Sequence, residues 1–320
     1  MEKIKASVLE TIGNTPLIEL KRLQERYQVQ GRLLAKLEMV NPTASKKDRI
    51  ALHLIEQAEK DGRLVPGQTV VEVTSGNTGN SLAMVCAVKG YRFVAAMSRG
   101  NSVERVKMMR GLGAELLLVD QAPGSQKGVV CGTDLEMVER AAEKFAAEEN
   151  AYLTNQFYNS ENSEAHYLTT AREIWQQTDG KVDFFADFAG TGGSFDGCAH
   201  ALKQLNSQIK CMVVEPQSAA YYGAGVTDSK HMIQGGGYGK KLDLIDSQLV
   251  DGSVAVSDED AVKFARELAS VEGVFAGYSS GANVCAGISL LQGAAKGKTV
   301  VILICDSGLK YLSTALFDFE

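Results

Sequence analysis

Lys46 and Lys47 stand side by side in Asn41-Pro42-Thr43-Ala44-Ser45-Lys46-Lys47-Asp48-Arg49, where a proline ends one element and a helix is about to begin. Ser45 is suited to cap that helix, with Asp48 at the third position of a capping box. Two cations at a helix start work against the helix dipole. One reading is a solvated basic turn. The other is an amine kept partly neutral by burial and by the dipole, and so able to attack a carbonyl and form an imine.

Three further corners carry polar groups at the same kind of junction. Thr74-Ser75-Gly76-Asn77-Thr78-Gly79 joins the strand-like Thr69–Val73 to an apolar helix. Its glycines, hydroxyls and amide suit an anion at a helix N-terminus, although ordinary βα loops use the same residues. Gly190-Thr191-Gly192-Gly193-Ser194 follows the apolar run Phe184–Ala189. Its backbone can approach a phosphate closely, and a plain tight turn is the alternative. It is neither a Walker loop nor a G-x-G-x-x-G dinucleotide fingerprint. Gly277-Tyr278-Ser279-Ser280-Gly281-Ala282-Asn283 enters another apolar helix, where one serine can cap while the other points into a site.

These corners need a scaffold, and the chain supplies one by alternation. Strand candidates at Leu33–Glu38, Thr69–Val73, Arg92–Met97, Glu115–Val119, Val182–Ala189, Ile209–Glu215 and Thr299–Ile304 are interleaved with helical patterns. The helices are expected over 47–60, 81–89, 102–112, 134–149, 161–177, 194–205, 257–271 and 281–292. Near-continuous apolar strands between helices argue for parallel sheets covered on both faces. The Gly-rich 121–133 reads as a mobile loop or a linker between halves. The stretch 217–246 is long for an idle connection.

Bulk properties narrow the function classes. The 320 residues are 45% hydrophobic and carry a net charge of −6, with no basic tract interleaved with aromatics, so nucleic acid is not the expected partner. No signal-type segment and no run of membrane-spanning length is read in the chain, which points to a soluble, cytoplasmic protein. Six scattered cysteines without a C-x-x-C pair read as buried thiols. Four histidines without metal-ligand spacing give no metal site. No G-x-S-x-G elbow is present.

Taken in order, the four corners resemble the cysteine synthase (O-acetylserine sulfhydrylase) and cystathionine β-synthase family, which uses pyridoxal 5′-phosphate. Thr11-Ile12-Gly13-Asn14-Thr15-Pro16-Leu17, Gln234-Gly235-Gly236-Gly237, Asp306-Ser307-Gly308 and Tyr311-Leu312-Ser313-Thr314 extend the likeness nearly end to end. The resemblance implies the tryptophan-synthase-β fold (fold type II): two α/β domains, each with a mostly parallel sheet covered by helices, and a site in the cleft between them. The smaller, mobile domain would span 41–150, and 1–40 with 151–320 would form the larger, phosphate-binding one.

The resemblance also implies roles. Lys47, the lysine of the Ser-x-Lys-Asp-Arg pattern, would be the Schiff-base residue, and Lys46 its solvated neighbour. Gly190, Thr191, Gly192, Gly193 and Ser194 would hold the cofactor phosphate, Asn77 the ring hydroxyl, and Ser279 the pyridine nitrogen. Thr74, Ser75, Thr78 and Gln156 would bind the substrate carboxylate. The implied reaction is β-replacement through an aminoacrylate: cysteine from O-acetylserine or a related activated serine, and sulfide. The alternatives are a cysteine-consuming lyase (a cysteine desulfhydrase, or a cystathionine- or lanthionine-type β-synthase) and, behind it, a serine or threonine dehydratase. A homodimer acting on a small amino acid with sulfide or a thiol is likewise implied. Val73, Ser98 and Ser194 depart from the pattern, where proline, proline and threonine are usual. Tyr278, Asn283, Tyr221, Tyr222 and Gly236–Tyr238 suggest an unusually aromatic and polar substrate end.

Overall fold

Thr299–Ile304 is the clearest case of sequence dictating an element. Val300, Ile302 and Ile304 enter one apolar cluster, while Val301 and Leu303 enter another, so the strand is buried on both faces. The computed structural model describes residues 4–100, 103–125, 132–226 and 231–319. Among these, ten strands run in chain order: Leu17–Glu19 (β1), Arg32–Leu37 (β2), Thr69–Val73 (β3), Arg92–Ser98 (β4), Glu115–Val119 (β5), Tyr152–Leu153 (β6), Phe184–Phe188 (β7), Lys210–Pro216 (β8), Gly252–Val256 (β9) and Thr299–Ile304 (β10).

The chain divides into two compact units, residues 1–12 with 47–161 and residues 13–46 with 162–320. The first holds a four-stranded sheet in the order β5-β4-β3-β6, parallel throughout. Val70, Ala95 and Met97 pack on one side of it, and Val71, Val94 and Ala96 on the other. The second holds a six-stranded sheet, β1-β2-β10-β7-β8-β9, parallel except for the antiparallel edge strand β1. The expected class, α/β with mostly parallel sheets under helices on both faces, is what forms.

The differences from expectation are local. The pattern over 161–177 is two helices, Glu161–Leu168 and Thr170–Gln177. At the break, Thr169 Oγ1 donates to the Ala165 carbonyl, the back-bonding that lets a β-branched hydroxyl bend or end a helix. Strands β1, β6 and β9 carry no strong pattern: two are three residues or fewer, and β9 is a half-exposed edge with glycine and serine in it. Of the stretch 217–246, the described part contains a short helix, Tyr221–Ala224, and the Gly-rich turn. Residues 126–131 of the Gly-rich 121–133, Cys131 included, lie outside the described residues. The other five cysteines are buried thiols. Among the described residues no helix is long and apolar enough to cross a membrane.

Candidate active site

In the first unit, Lys47 heads the helix Lys47–Lys60 and is half-buried. That helix starts two residues after Ser45, which instead forms an isolated antiparallel bridge with Asp306 in the second unit. Asp48 fixes the helix start laterally: its Oδ1 accepts from Ser81 Oγ at 2.6 Å, tying it to the helix Asn77–Lys89.

The Thr74–Gly79 corner is cross-braced. Thr74 Oγ1 accepts from the Gly79 amide at 3.0 Å, occupying one of the donors exposed at that helix N-terminus. Gly79 has no room for a side chain, since a Cβ there would stand 2.4 Å from Met109 Sδ and 2.9 Å from Thr74 Cγ2. Thr78 Oγ1 donates to Gln156 Oε1 at 2.6 Å, and Gln156 Nε2 donates to the Val73 carbonyl at 3.3 Å. The structure therefore joins Thr74, Thr78 and Gln156 around one loop, with Ser75 and Asn77 half-buried along it.

Beneath this loop lies a group that the motif reading passed over. Glu72, in the middle of β3, is buried and accepts from Thr154 Oγ1 and from the Gln156 amide at 3.1 Å. Burial pushes its carboxyl up to about 7, although the Thr154 hydroxyl, the Gln156 and Val73 amides and the Lys47 charge pull the other way. The signal was an acidic residue inside the β-branched run Thr69–Val73. Such a side chain must find donors or give up its charge.

In the second unit, Gly190–Ser194 leads from β7 into the helix Gly193–Leu205. Gly192 has φ +96°, a conformation that favours glycine. A Cβ on Gly190 would meet the Gly235 carbonyl oxygen at 2.8 Å, and one on Gly193 would meet Asn162 Oδ1 at 2.2 Å. The amide of Gly237 donates to the Ala189 carbonyl at 3.2 Å, so the Gln234–Gly237 turn backs the loop. Thr191 Oγ1 accepts from Asn162 Nδ2 at 2.9 Å, which leaves its own proton to donate. This is a cradle kept open by missing side chains at the N-terminus of a three-turn helix. It fits a phosphate group.

Lys46 is not the solvated neighbour that the sequence suggested. It is 7% exposed, and its Nζ donates to Asp187 Oδ2 at 2.8 Å, to Oδ1 at 3.0 Å and to Ser194 Oγ at 2.8 Å. Burial alone would lower the pKa of this ammonium, but the Asp187 carboxylate outweighs it, so the pKa stands above the ordinary lysine value. An amine held protonated in this way is not a nucleophile. Removing one member of a buried pair of this kind costs about 3–5 kcal/mol, whereas removing both is often neutral. Asp187, like Glu72, was visible as a charge inside an apolar strand.

At the last corner, Ser280 Oγ accepts from the Cys305 amide at 2.9 Å and is fully buried. Ser279, in the first turn of the helix Tyr278–Gln292, bonds the Cys305 thiol, which burial pushes up to about 12. The expected aromatic and polar substrate end is corrected at two positions. Tyr278 is 1% exposed, its ring edge-on to Tyr311 and its hydroxyl donating to Thr314 Oγ1 at 3.2 Å. Asn283 is 0% exposed and donates to Asp187 Oδ1 and the Leu303 carbonyl. Both are internal braces.

The family model described as "Pyridoxal-phosphate dependent enzyme" matches residues 8–306. The chain belongs to that family. A cysteine synthase of Staphylococcus aureus (strain Mu50) is 37% identical over 317 residues, covering 98% of this chain and 97% of its own. Among solved structures, a cysteine synthase of Entamoeba histolytica is 38% identical, with a TM-score of 0.92 over 100% of this chain and 92% of the other. A hydrogen sulfide-producing enzyme from Fusobacterium nucleatum is 39% identical, with a TM-score of 0.89 over 98% and 99%. This is a pyridoxal-phosphate enzyme of the cysteine synthase type.

Proposed function

We propose that this pyridoxal-phosphate enzyme makes cysteine by β-replacement, taking O-acetylserine or a related activated serine as donor and sulfide as nucleophile. The observation that carries the reading is the likeness to a curated cysteine synthase across 98% of the chain. The braced Thr74–Gly79 loop and the open glycine cradle support it. Pyridoxal phosphate supplies the electron sink for charge developing at the substrate α-carbon.

The chain's own residues do the rest. Lys47 would hold the cofactor through its amine, and the same Nζ, when free, would accept the α-proton of the substrate. Lys46, held as an ammonium by Asp187, leaves that role to Lys47. Gly190, Thr191, Gly192, Gly193 and Ser194 hold the phosphate, and Asn77 bonds the ring hydroxyl. Ser279 would face the ring nitrogen with a neutral hydroxyl, a group that offers that nitrogen no carboxylate to hold a proton on it. Thr74, Ser75, Thr78 and Gln156 orient the substrate carboxylate, and closure of their loop excludes water. A homodimer is part of the proposal, checked by light scattering of the purified protein.

A second reading, a lyase that consumes cysteine and releases sulfide, is favoured by the 39% identity to the sulfide-producing enzyme of Fusobacterium nucleatum. Product analysis separates the two. The enzyme is given O-acetylserine with sulfide, and in parallel cysteine alone. The leading reading expects faster cysteine formation, and faster sulfide release from cysteine would overturn it. Loss of both reactions with a protein that stays colourless after cofactor addition would overturn the family chemistry itself.

A further inference from the structure

Ser194 is the one hydroxyl of the glycine loop whose proton is directed inward. Its Oγ donates to Asp187 Oδ2 at 2.5 Å and accepts from Lys46 Nζ at 2.8 Å, so the face it turns to the loop is a lone pair. Thr191, by contrast, accepts from Asn162 and keeps its proton. A phosphate dianion at this loop therefore meets two unlike hydroxyls. It also meets a buried carboxylate directly behind one of them.

Asp187 does not depend on Ser194 for its partners. Lys46 Nζ lies on both of its oxygens, and Asn283 Nδ2 donates to Oδ1 at 3.1 Å. The Asn283 amide is fixed in this sense. Turning it over would set its oxygen against the Asp187 carboxylate and the Leu303 carbonyl, both acceptors. Its Oδ1 is buried with no partner among the described residues, so the side chain is held for its donors. The Lys46 backbone is anchored too, its amide donating to the Cys305 carbonyl at 2.9 Å.

We propose that Lys46 and Asp187 are a positioning pair for the cofactor phosphate. Asp187 anchors the Ser194 hydroxyl through an acceptor oxygen that an asparagine would retain, and the Lys46 ammonium cancels the carboxylate charge that would otherwise repel a dianion at the loop. When the phosphate arrives, the Ser194 proton turns from Asp187 to a phosphate oxygen, while Asp187 keeps Lys46 and Asn283. No bond other than these hydrogen bonds changes. The inference rests on the reading that Gly190–Ser194 hold the phosphate.

The experiment measures affinity, not turnover. Full-length protein freed of cofactor is titrated with pyridoxal 5′-phosphate and, separately, with pyridoxal, which lacks the phosphate. Wild type, Lys46→Met, Asp187→Asn and the double variant are compared by visible absorption, with circular dichroism to check folding. If wild type does not prefer the phosphate ester, the phosphate-loop reading fails, whatever the variants do. If it does, Lys46→Met is expected to lose roughly tenfold or more of that preference, with pyridoxal binding changed by about twofold at most. Asp187→Asn is expected to keep the preference or increase it, and adding it to Lys46→Met is expected to recover most of the loss. A merely structural pair would weaken both ligands alike, in either single variant. Lys46→Met with the wild-type preference, or Asp187→Asn losing as much as Lys46→Met, overturns the proposal. Should Lys46→Met fail to fold, a reduced preference in Asp187→Asn or in the double variant overturns it.

Discussion

Thr78 Oγ1 donates to Gln156 Oε1 at 2.6 Å, joining the first turn of one helix to a residue 78 positions later in the chain. Gln156 is held at three points, because its Nε2 reaches the Val73 carbonyl and its backbone amide reaches Glu72. A group fixed in this way would lose little entropy on meeting a substrate carboxylate, the role proposed for it. Thr78→Val or Gln156→Ala is therefore expected to raise the KM for the amino-acid donor, with kcat/KM falling by roughly 10²-fold. The cofactor absorption should stay unchanged. Steady-state kinetics beside a visible spectrum checks this, and a variant that loses its colour would assign these residues to the cofactor.

The two adjacent lysines differ in their surroundings, and that difference is testable. Lys46 is locked to Asp187, while Lys47 begins a helix and is half-buried. On the proposed roles, Lys47→Ala removes both the covalent attachment and the proton carrier and is expected to lower turnover by roughly 10²–10⁴-fold or more. The absorption band of the lysine-bound cofactor should vanish with it. An unchanged band in Lys47→Ala would assign the attachment elsewhere.

Much of this was legible in the sequence, for physical reasons that can be named. Strands β3 and β10 begin and end where their β-branched and apolar runs do, because neighbours bury both faces, and the edge strand β5 shows through its unbroken apolar run Leu116–Val119. Edge strands β1 and β9 escape notice because one side is exposed and the pattern dilutes. The corners were legible because glycine and hydroxyl residues cluster just before helices, and their joint order along the chain, not any one of them, set them apart from ordinary βα loops. What local reading missed was long-range pairing. Lys46 reads as a surface lysine until Asp187, 141 residues away, is brought against it. Glu72 reads as a strand residue until Thr154 and Gln156 donate to it. Tyr278 and Asn283 looked like binding groups because polarity in a glycine-rich corner does not reveal which way a side chain faces.

Glu72 sets a pH dependence with a definite sign. Its carboxyl, near 4.5 in the unfolded chain, stands at about 7 in the folded one, so the folded state binds the extra proton between these values. The contribution to stability is fully present below about 4.5 and is lost as pH rises through about 7. Glu72→Gln removes the titration. Its stability relative to wild type is expected to rise between pH 5 and pH 8, by up to about 3 kcal/mol. Urea melts of both proteins at several pH values test this, since other titrating groups cancel in the difference. A difference that is flat with pH would place the Glu72 titration outside this range.

Gly193 is where packing meets the glycine cradle proposed to hold the phosphate. A Cβ there would stand 2.2 Å from Asn162 Oδ1 and 3.1 Å from the Asn162 backbone carbon, so Asn162 must move. It is fully buried and donates to Thr191 Oγ1, which leaves the clash no cheap exit into solvent. Gly193→Ala is therefore expected to cost about 1–3 kcal/mol of stability by overpacking. It should also weaken cofactor binding, because displacing Asn162 releases the Thr191 hydroxyl from its set orientation. Gly111→Ala is the matched control: nothing lies within 4 Å of its Cβ position, and it closes the exposed end of the helix Val103–Gly111. There the change is expected to be neutral or stabilising by up to about 1 kcal/mol. Thermal melts with and without added pyridoxal phosphate read both terms. A Gly193→Ala protein as stable as Gly111→Ala, with undiminished stabilisation by the cofactor, would mean that Asn162 gives way freely and does not orient Thr191.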